Sequence, residues 1–231
     1  MIDVLPDIEP TFLPVVGGGV FPVRRVYCVG RNYISHVREM KEADERDPPF
    51  FFQKPRDAVV SHGATVPYPP DTTDFQYEVE LVAAIGWDGS NIGVETALRH
   101  VWGYTVGIDL TRRDRQREAR DLQLPWEAGK SFDFSAPCGA IHPAMSVGHP
   151  ATGAITLSVN GVERQRGDLK ELIWSVPEII AHLSRQYILR AGDLIMTGTP
   201  AGVGPVVPGD RIVAAIDGLD DLTFTIGKCA H

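Results

Sequence analysis

No apolar run in the chain approaches the roughly 18 residues that a membrane-spanning helix needs, so no membrane partner is expected. Cysteine is scarce. Cys28, Cys138 and Cys229 are far apart, odd in number and in no CxxC pair, which points to reduced, structural thiols and a cytoplasmic location. Basic charge is in deficit, with 22 Lys and Arg against 30 Asp and Glu and a net charge of −8. A nucleic-acid phosphate backbone is therefore a poor partner, although local Lys and Arg remain free to hold a small anion. The first residues lack a basic stretch followed by an apolar one, so no signal peptide is expected. The glycines form neither the GxxxxGK[ST] loop of nucleotide hydrolases nor a dinucleotide fingerprint. Repeats, low-complexity tracts and clear linkers are also missing. A single domain over residues 1–231 is the simplest expectation, and 43% hydrophobic residues suffice for a sizeable core.

The run that stands out among what is present is FQYEVELVAAIG, residues 75–86. It reads as a buried strand carrying Glu78 and Glu80, whose side chains would share one face. Two carboxylates that close need a cation or a shared proton, and a hard divalent metal supplies the first. An edge strand with its acidic face in solvent is the plainer reading. Asp109 ends a second expected strand, GYTVGIDL, and would complete a three-carboxylate site suited to Mg²⁺, Mn²⁺ or Ca²⁺. As a turn or cap residue it would do nothing of the kind.

Read in order, residues 1–22 form an irregular arm or short strand around Gly17, Gly18 and Gly19, followed by a core strand at Val26 to Val29. Asn32 suits the N-cap of a short helix on which His36 and Glu39, three apart, share a face. An imidazole held by a carboxylate is a general-base pair, and an ordinary surface ion pair is the alternative. Residues 33–49 are charged and end in two prolines, as a lid would. Thr111 is a candidate cap for the polar helix that follows Asp109, with Asp109, Arg113 and Gln116 along one side. Lys130, in a Gly-Lys-Ser turn, is placed to stabilise an enolate or carboxylate, or is simply solvated. Asn160-Gly161 and Asp217-Gly218 mark hairpins, and Ser175 with Glu178 makes a capping box. Residues 197–204, TGTPAGVG, offer backbone N–H groups and a hydroxyl to an anion, or merely connect two strands. Many short strands with few helices imply a β-rich α+β fold.

The stretches CVGRNYISHVREM, FFFQKP, YEVELVAAIG, GYTVGIDLTRRDRQ, GKSFD and DLIMTGTPAGVG, in this order, resemble the fumarylacetoacetate hydrolase family from about Arg24 to the end of the chain. The resemblance implies a mixed β-sandwich roll and a homodimer, with Mg²⁺ or Mn²⁺ held by Glu78, Glu80 and Asp109. It implies that His36 and Glu39 are a lid dyad that activates water, and that Lys130, Arg113, Gln116 and Thr199 hold the 2-oxo acid end of the substrate. The implied reaction is hydrolysis of a carbon–carbon bond in a 2,4-dioxo acid such as fumarylpyruvate, in aromatic catabolism. A far carboxylate on that substrate would need a cation, for which Arg31, Lys41 and Arg46 are the candidates. One departure is Gln76-Tyr77, where relatives often carry histidine just before the first glutamate; it leaves the three ligands intact and bears on the contacts behind them. Oxaloacetate decarboxylation and 2-hydroxyhepta-2,4-diene-1,7-dioate isomerisation share the same metal chemistry without activated water. A catalytically silent metal-binding homodimer is the reading from another class.

Overall fold

Val79–Ile85 is apolar at every position except Glu80, and all seven residues are buried. A strand of that kind belongs at the centre of a sheet covered on both faces. In the computed structural model, which describes residues 9–34 and 46–229, it pairs antiparallel with Asp193–Met196 on one side and Val101–Ile108 on the other. The sheet continues beyond Asp193–Met196 through Arg25–Gly30, which is parallel to it, and Phe50–Lys54. Beyond Val101–Ile108 it passes through Ala136–Cys138 to Val59–Ser61.

A second sheet of five strands runs in the order Val162–Asp168, Ala154–Val159, Arg211–Ile216, Leu222–Gly227, Thr65–Pro67. Ala154–Val159, Arg211–Ile216 and Leu222–Gly227 alternate buried and half-exposed positions, so one face is turned inward. That face, including Ile155, Leu157, Ile212 and Phe224, packs with Leu81, Ala83 and Ile85 of the central strand in one cluster. The alternate residues Val82 and Ala84 join a separate cluster with Cys28, Leu194 and Met196 on the opposite face. Two sheets over a shared core give the β-rich sandwich expected from the sequence.

The turns follow their chemistry. Asn160 and Gly161 both have positive φ, 53° and 78°, the geometry of a tight two-residue hairpin, between two antiparallel strands. Arg211–Ile216 and Leu222–Gly227 likewise pair antiparallel around Asp217-Gly218. The N-terminal arm is itself a hairpin of Phe12–Pro14 and Val20–Pro22, closed by three glycines with positive φ. Helix Val176–Gln186 opens on the expected capping box, with the Ser175 N–H donating to Glu178 Oε2 at 2.9 Å.

Three local expectations fail. Residues 75–86 are not one strand: Phe75–Tyr77 belongs to a small sheet between Thr111–Arg112 and Gly204–Pro205, and the run breaks at Glu78. The Val79 N–H donates to the Gln165 side-chain oxygen at 3.0 Å instead of continuing a ladder. Thr111 does not cap the helix after it, Arg113–Asp121, whose N-cap is Arg112. Its hydroxyl donates to the Asp109 carbonyl at 3.1 Å. Lys130 ends a short helix, Glu127–Lys130, rather than sitting in a turn.

Gln165 is the one fully buried residue of an otherwise largely exposed strand. Besides receiving the Val79 N–H, it donates to Thr199 Oγ1 and to the Pro200 carbonyl, both at 2.9 Å. It thus ties the second sheet to the central strand and to the glycine-rich loop. Gln165→Leu leaves buried groups unpaired, at about 1–3 kcal/mol each. We expect a fall in melting temperature on the order of 5–10 °C for a chain of this size, measurable by calorimetry, and a change under 2 °C would show that the link carries little.

Candidate active site

Glu78 lies at the break between two strands, Glu80 two residues on in the central strand, and Asp109 just past the end of Val101–Ile108. The Asp109 N–H donates to the Glu78 carbonyl at 2.9 Å and locks the two segments together. One carboxylate oxygen from each of the three residues lies within 4.8 Å of the others, and all three are buried. Burial, followed by the charges of Asp109 and Glu78, pushes the Glu80 carboxyl well above the usual range, against the pull of the Gly198 N–H and Lys130. A hard divalent cation relieves that repulsion, and a set of three carboxylates without thiol or imidazole fits Mg²⁺ or Mn²⁺. Asp109 Oδ1 lies 2.8 Å from Lys54 Nζ, an ion pair that anchors the carboxylate.

Three buried cations surround the carboxylates. Lys130 Nζ donates to Glu78 Oε2 at 2.8 Å, Asp109 Oδ2 at 2.7 Å and Thr111 Oγ1 at 2.8 Å. Burial lowers its pKa, but Asp109 and Glu78 outweigh this and hold it above its ordinary value. Arg113 pairs with Glu78 through Nη2, donates its Nε–H to Gln76 Oε1 at 2.8 Å, and donates to Gln116 Oε1 through Nη1. Lys54 donates to the carbonyls of Leu110, at 3.0 Å, and Lys130.

The glycine-rich loop does present a backbone N–H to an anion, and the anion is Glu80: the Gly198 N–H donates to Oε2 at 2.6 Å. Gly198 has a φ of +101°, and a Cβ there would lie 2.7 Å from that of Asn32. Glycine is required on both counts. Asn32 in turn donates to the carbonyls of Trp174 and Thr197 and accepts from the Trp174 N–H. Its side chain is a staple between loops; the helix it was expected to cap lies outside the described residues.

A cleft opens above the carboxylates, lined among others by Phe52, Gln116, Trp126, Gly198, Thr199 and Lys130. The structure thus brings Glu78, Glu80, Asp109, Arg113, Gln116, Lys130 and Thr199 together as the sequence reading expected. His36, Glu39 and Lys41 lie outside the described residues. Arg31 lines the cleft, whereas Arg46 is engaged elsewhere, pairing with Glu178 at 2.9 Å and stacking on Trp174, and does not reach it. Lys54 and Gln165 were missed. For Lys54 the signal was there: a lysine closing an aromatic strand, FFFQK, is placed to be carried inward.

A family model described as fumarylacetoacetate (FAA) hydrolase C-terminal matches residues 25–227. The chain is 46% identical over 178 residues to a fumarylpyruvate hydrolase of Ralstonia sp, covering 77% of this chain and 92% of that protein. It is 39% identical over 205 residues to the mitochondrial oxaloacetate tautomerase of Homo sapiens, covering 89% and 92%. The crystal structure of fumarylpyruvate hydrolase from Pseudomonas aeruginosa in complex with Mn²⁺ and pyruvate superposes with a TM-score of 0.96 at 51% identity, over 98% of this chain and 100% of that one. With the fold, the order of its motifs and these likenesses in agreement, the chain belongs to the fumarylacetoacetate hydrolase family.

Proposed function

We propose that the protein hydrolyses the C3–C4 bond of a 2,4-dioxo acid, with fumarylpyruvate cleaved to fumarate and pyruvate in aromatic catabolism. The observation that carries this reading is the convergence of Glu78, Glu80 and Asp109 with Lys130 at the floor of one cleft. The likeness to a hydrolase solved with Mn²⁺ and pyruvate supports it. Glu78, Glu80 and Asp109 would hold Mg²⁺ or Mn²⁺, which when bound would supply Lewis-acid polarisation to the 2-oxo acid end of the substrate.

The chain's own groups do the rest. Counted as ionised, the three carboxylates are matched one for one by Lys54, Lys130 and Arg113. A divalent cation then leaves the site with surplus positive charge, which suits an anionic 2-oxo acid and the enolate that leaves it. Lys130 holds Glu78 and Asp109 in place and offers its charge to the pyruvyl end, beside Gln116 and Thr199. Arg113 fixes Glu78 and Gln116. His36, oriented by Glu39, takes a proton from the water that attacks C4 and returns it to C3 of the departing pyruvate.

A cytoplasmic homodimer is the form we propose, and apolar surface supports the second copy: Phe50, Phe51, Pro125, Trp126 and Tyr187 line one open hollow, near exposed Leu124. A second reading rests on the oxaloacetate tautomerase relative. It uses the same contacts to a 2-oxo acid and no activated water.

Pyruvate release from fumarylpyruvate and enol–keto conversion of oxaloacetate, followed by loss of the enol absorbance, each with Mg²⁺, Mn²⁺ or EDTA, separate the two, and we expect metal-dependent pyruvate release from fumarylpyruvate to be the faster. Glu80→Ala should lose measurable Mn²⁺ binding by calorimetry; retained affinity removes Glu80 from the ligand set. His36→Ala should bind metal normally and lower kcat by ~10²- to 10⁴-fold. Unchanged turnover would take the dyad out of the mechanism.

A further inference from the structure

Five cationic side chains line the cleft, and two of them, Lys130 and Arg113, are engaged with the carboxylates at its floor. The other three, Arg31, Arg117 and Arg120, are exposed and stand at its mouth. Among the described residues the cleft has no acidic lining apart from Glu78, Glu80 and Asp109. In a chain whose net charge is −8, a mouth lined by three arginines and no carboxylate of its own is a local inversion. It marks where a second negative charge is to be received.

Helix Arg113–Asp121 sets the spacing. Arg113, Gln116, Arg117 and Arg120 stand at positions i, i+3, i+4 and i+7 and share one face. At 1.5 Å rise per residue, Arg117 and Arg120 stand roughly 6 Å and 10 Å along the axis from Arg113. An extended chain advances about 1.2 Å per bond, so the two terminal carboxyl carbons of fumarylpyruvate lie roughly 7 Å apart. With one end of the molecule at the floor, the other falls within reach of the helix's second and third turns. Arg117 pairs with Asp74 at 2.9 Å and Arg120 with Asp121 at 3.4 Å, at side-chain exposures of 47% and 38%. Pairs that exposed are weak and readily exchanged for a carboxylate.

We propose that Arg117 and Arg120 bind a second carboxylate on the acyl arm and so select dicarboxylic over uncharged acyl chains. This rests on the reading of the floor as a 2-oxo acid site. Arg31 also lines the cleft, on the chain leaving the strand that ends at Gly30, with a left-handed φ of 60°, a conformation uncommon for arginine.

The test uses a pair of ligands that cannot be cleaved. 2-Oxoheptanedioate has the chain length and both carboxylates of fumarylpyruvate but no second ketone, and 2-oxoheptanoate lacks the far carboxylate. Their affinities for the Mg²⁺-loaded protein are measured by calorimetry for wild type, Arg117→Met, Arg120→Met and the double variant, with a melting curve on each. We expect wild type to prefer the diacid. We expect the preference to fall by about 10- to 100-fold in the double variant, the scale of a lost charge-assisted hydrogen bond, and to recover partly in the double lysine variant. Equal losses on both ligands, or a preference that survives both substitutions, would overturn the assignment. Pyruvate release assayed in parallel keeps the questions apart: absence of hydrolysis with the diacid preference intact sinks the proposed reaction and leaves the arginines in place.

Discussion

Three carboxylates brought within 4.8 Å of one another in a buried site repel strongly, and the rest of the structure is arranged to make that tolerable. Each compensating cation arrives on a separate segment. Lys54 ends strand Phe50–Lys54, Lys130 ends helix Glu127–Lys130, and Arg113 opens helix Arg113–Asp121. Buried ion pairs seldom add stability over apolar residues of equal volume, whereas removal of one partner costs roughly 3–5 kcal/mol. Six charged residues of the site at 5% exposure or less are therefore better explained by chemistry than by stability. They also couple folding to the site, because no segment can leave without stranding a charge.

What was legible in the sequence was what short-range geometry determines. Glu78 and Glu80, two apart, share a site; Arg113 and Gln116, three apart on a helix, share a face; Asn160-Gly161 and the Ser175/Glu178 box mark a turn and a helix start. What was not legible depends on partners far away in the chain. Gln165 sits 86 residues from the Val79 N–H that it receives, inside a strand whose sequence reads as solvent-facing. Thr111 looks like a cap because threonine often is one; the Lys130 ammonium and the Asp109 carbonyl claim its hydroxyl instead. The break at Glu78 has the same origin, since apolar alternation continues across it while the two halves pair with different distant strands and the Gln165 side chain takes the Val79 N–H.

Helix Arg113–Asp121 shows how a segment with little apolar surface is held in place. Only Arg113, Gln116 and Ala119 are buried, so hydrophobic packing contributes little. Its first turn is fastened by Asp114, which accepts from the Thr72 hydroxyl at 2.6 Å and the Thr73 N–H at 2.9 Å. Arg115 and Glu118 add an ion pair at 3.0 Å along the surface. On the inner side the following helix comes close enough that a Cβ on Gly129 would lie 2.8 Å from the Gln116 backbone nitrogen. Glycine permits that approach, and it fixes the distance between Gln116 and Lys130 from backbone to backbone. The two cleft residues therefore share one rigid unit: the contact that seats the polar helix also places the ammonium over Glu78 and Asp109.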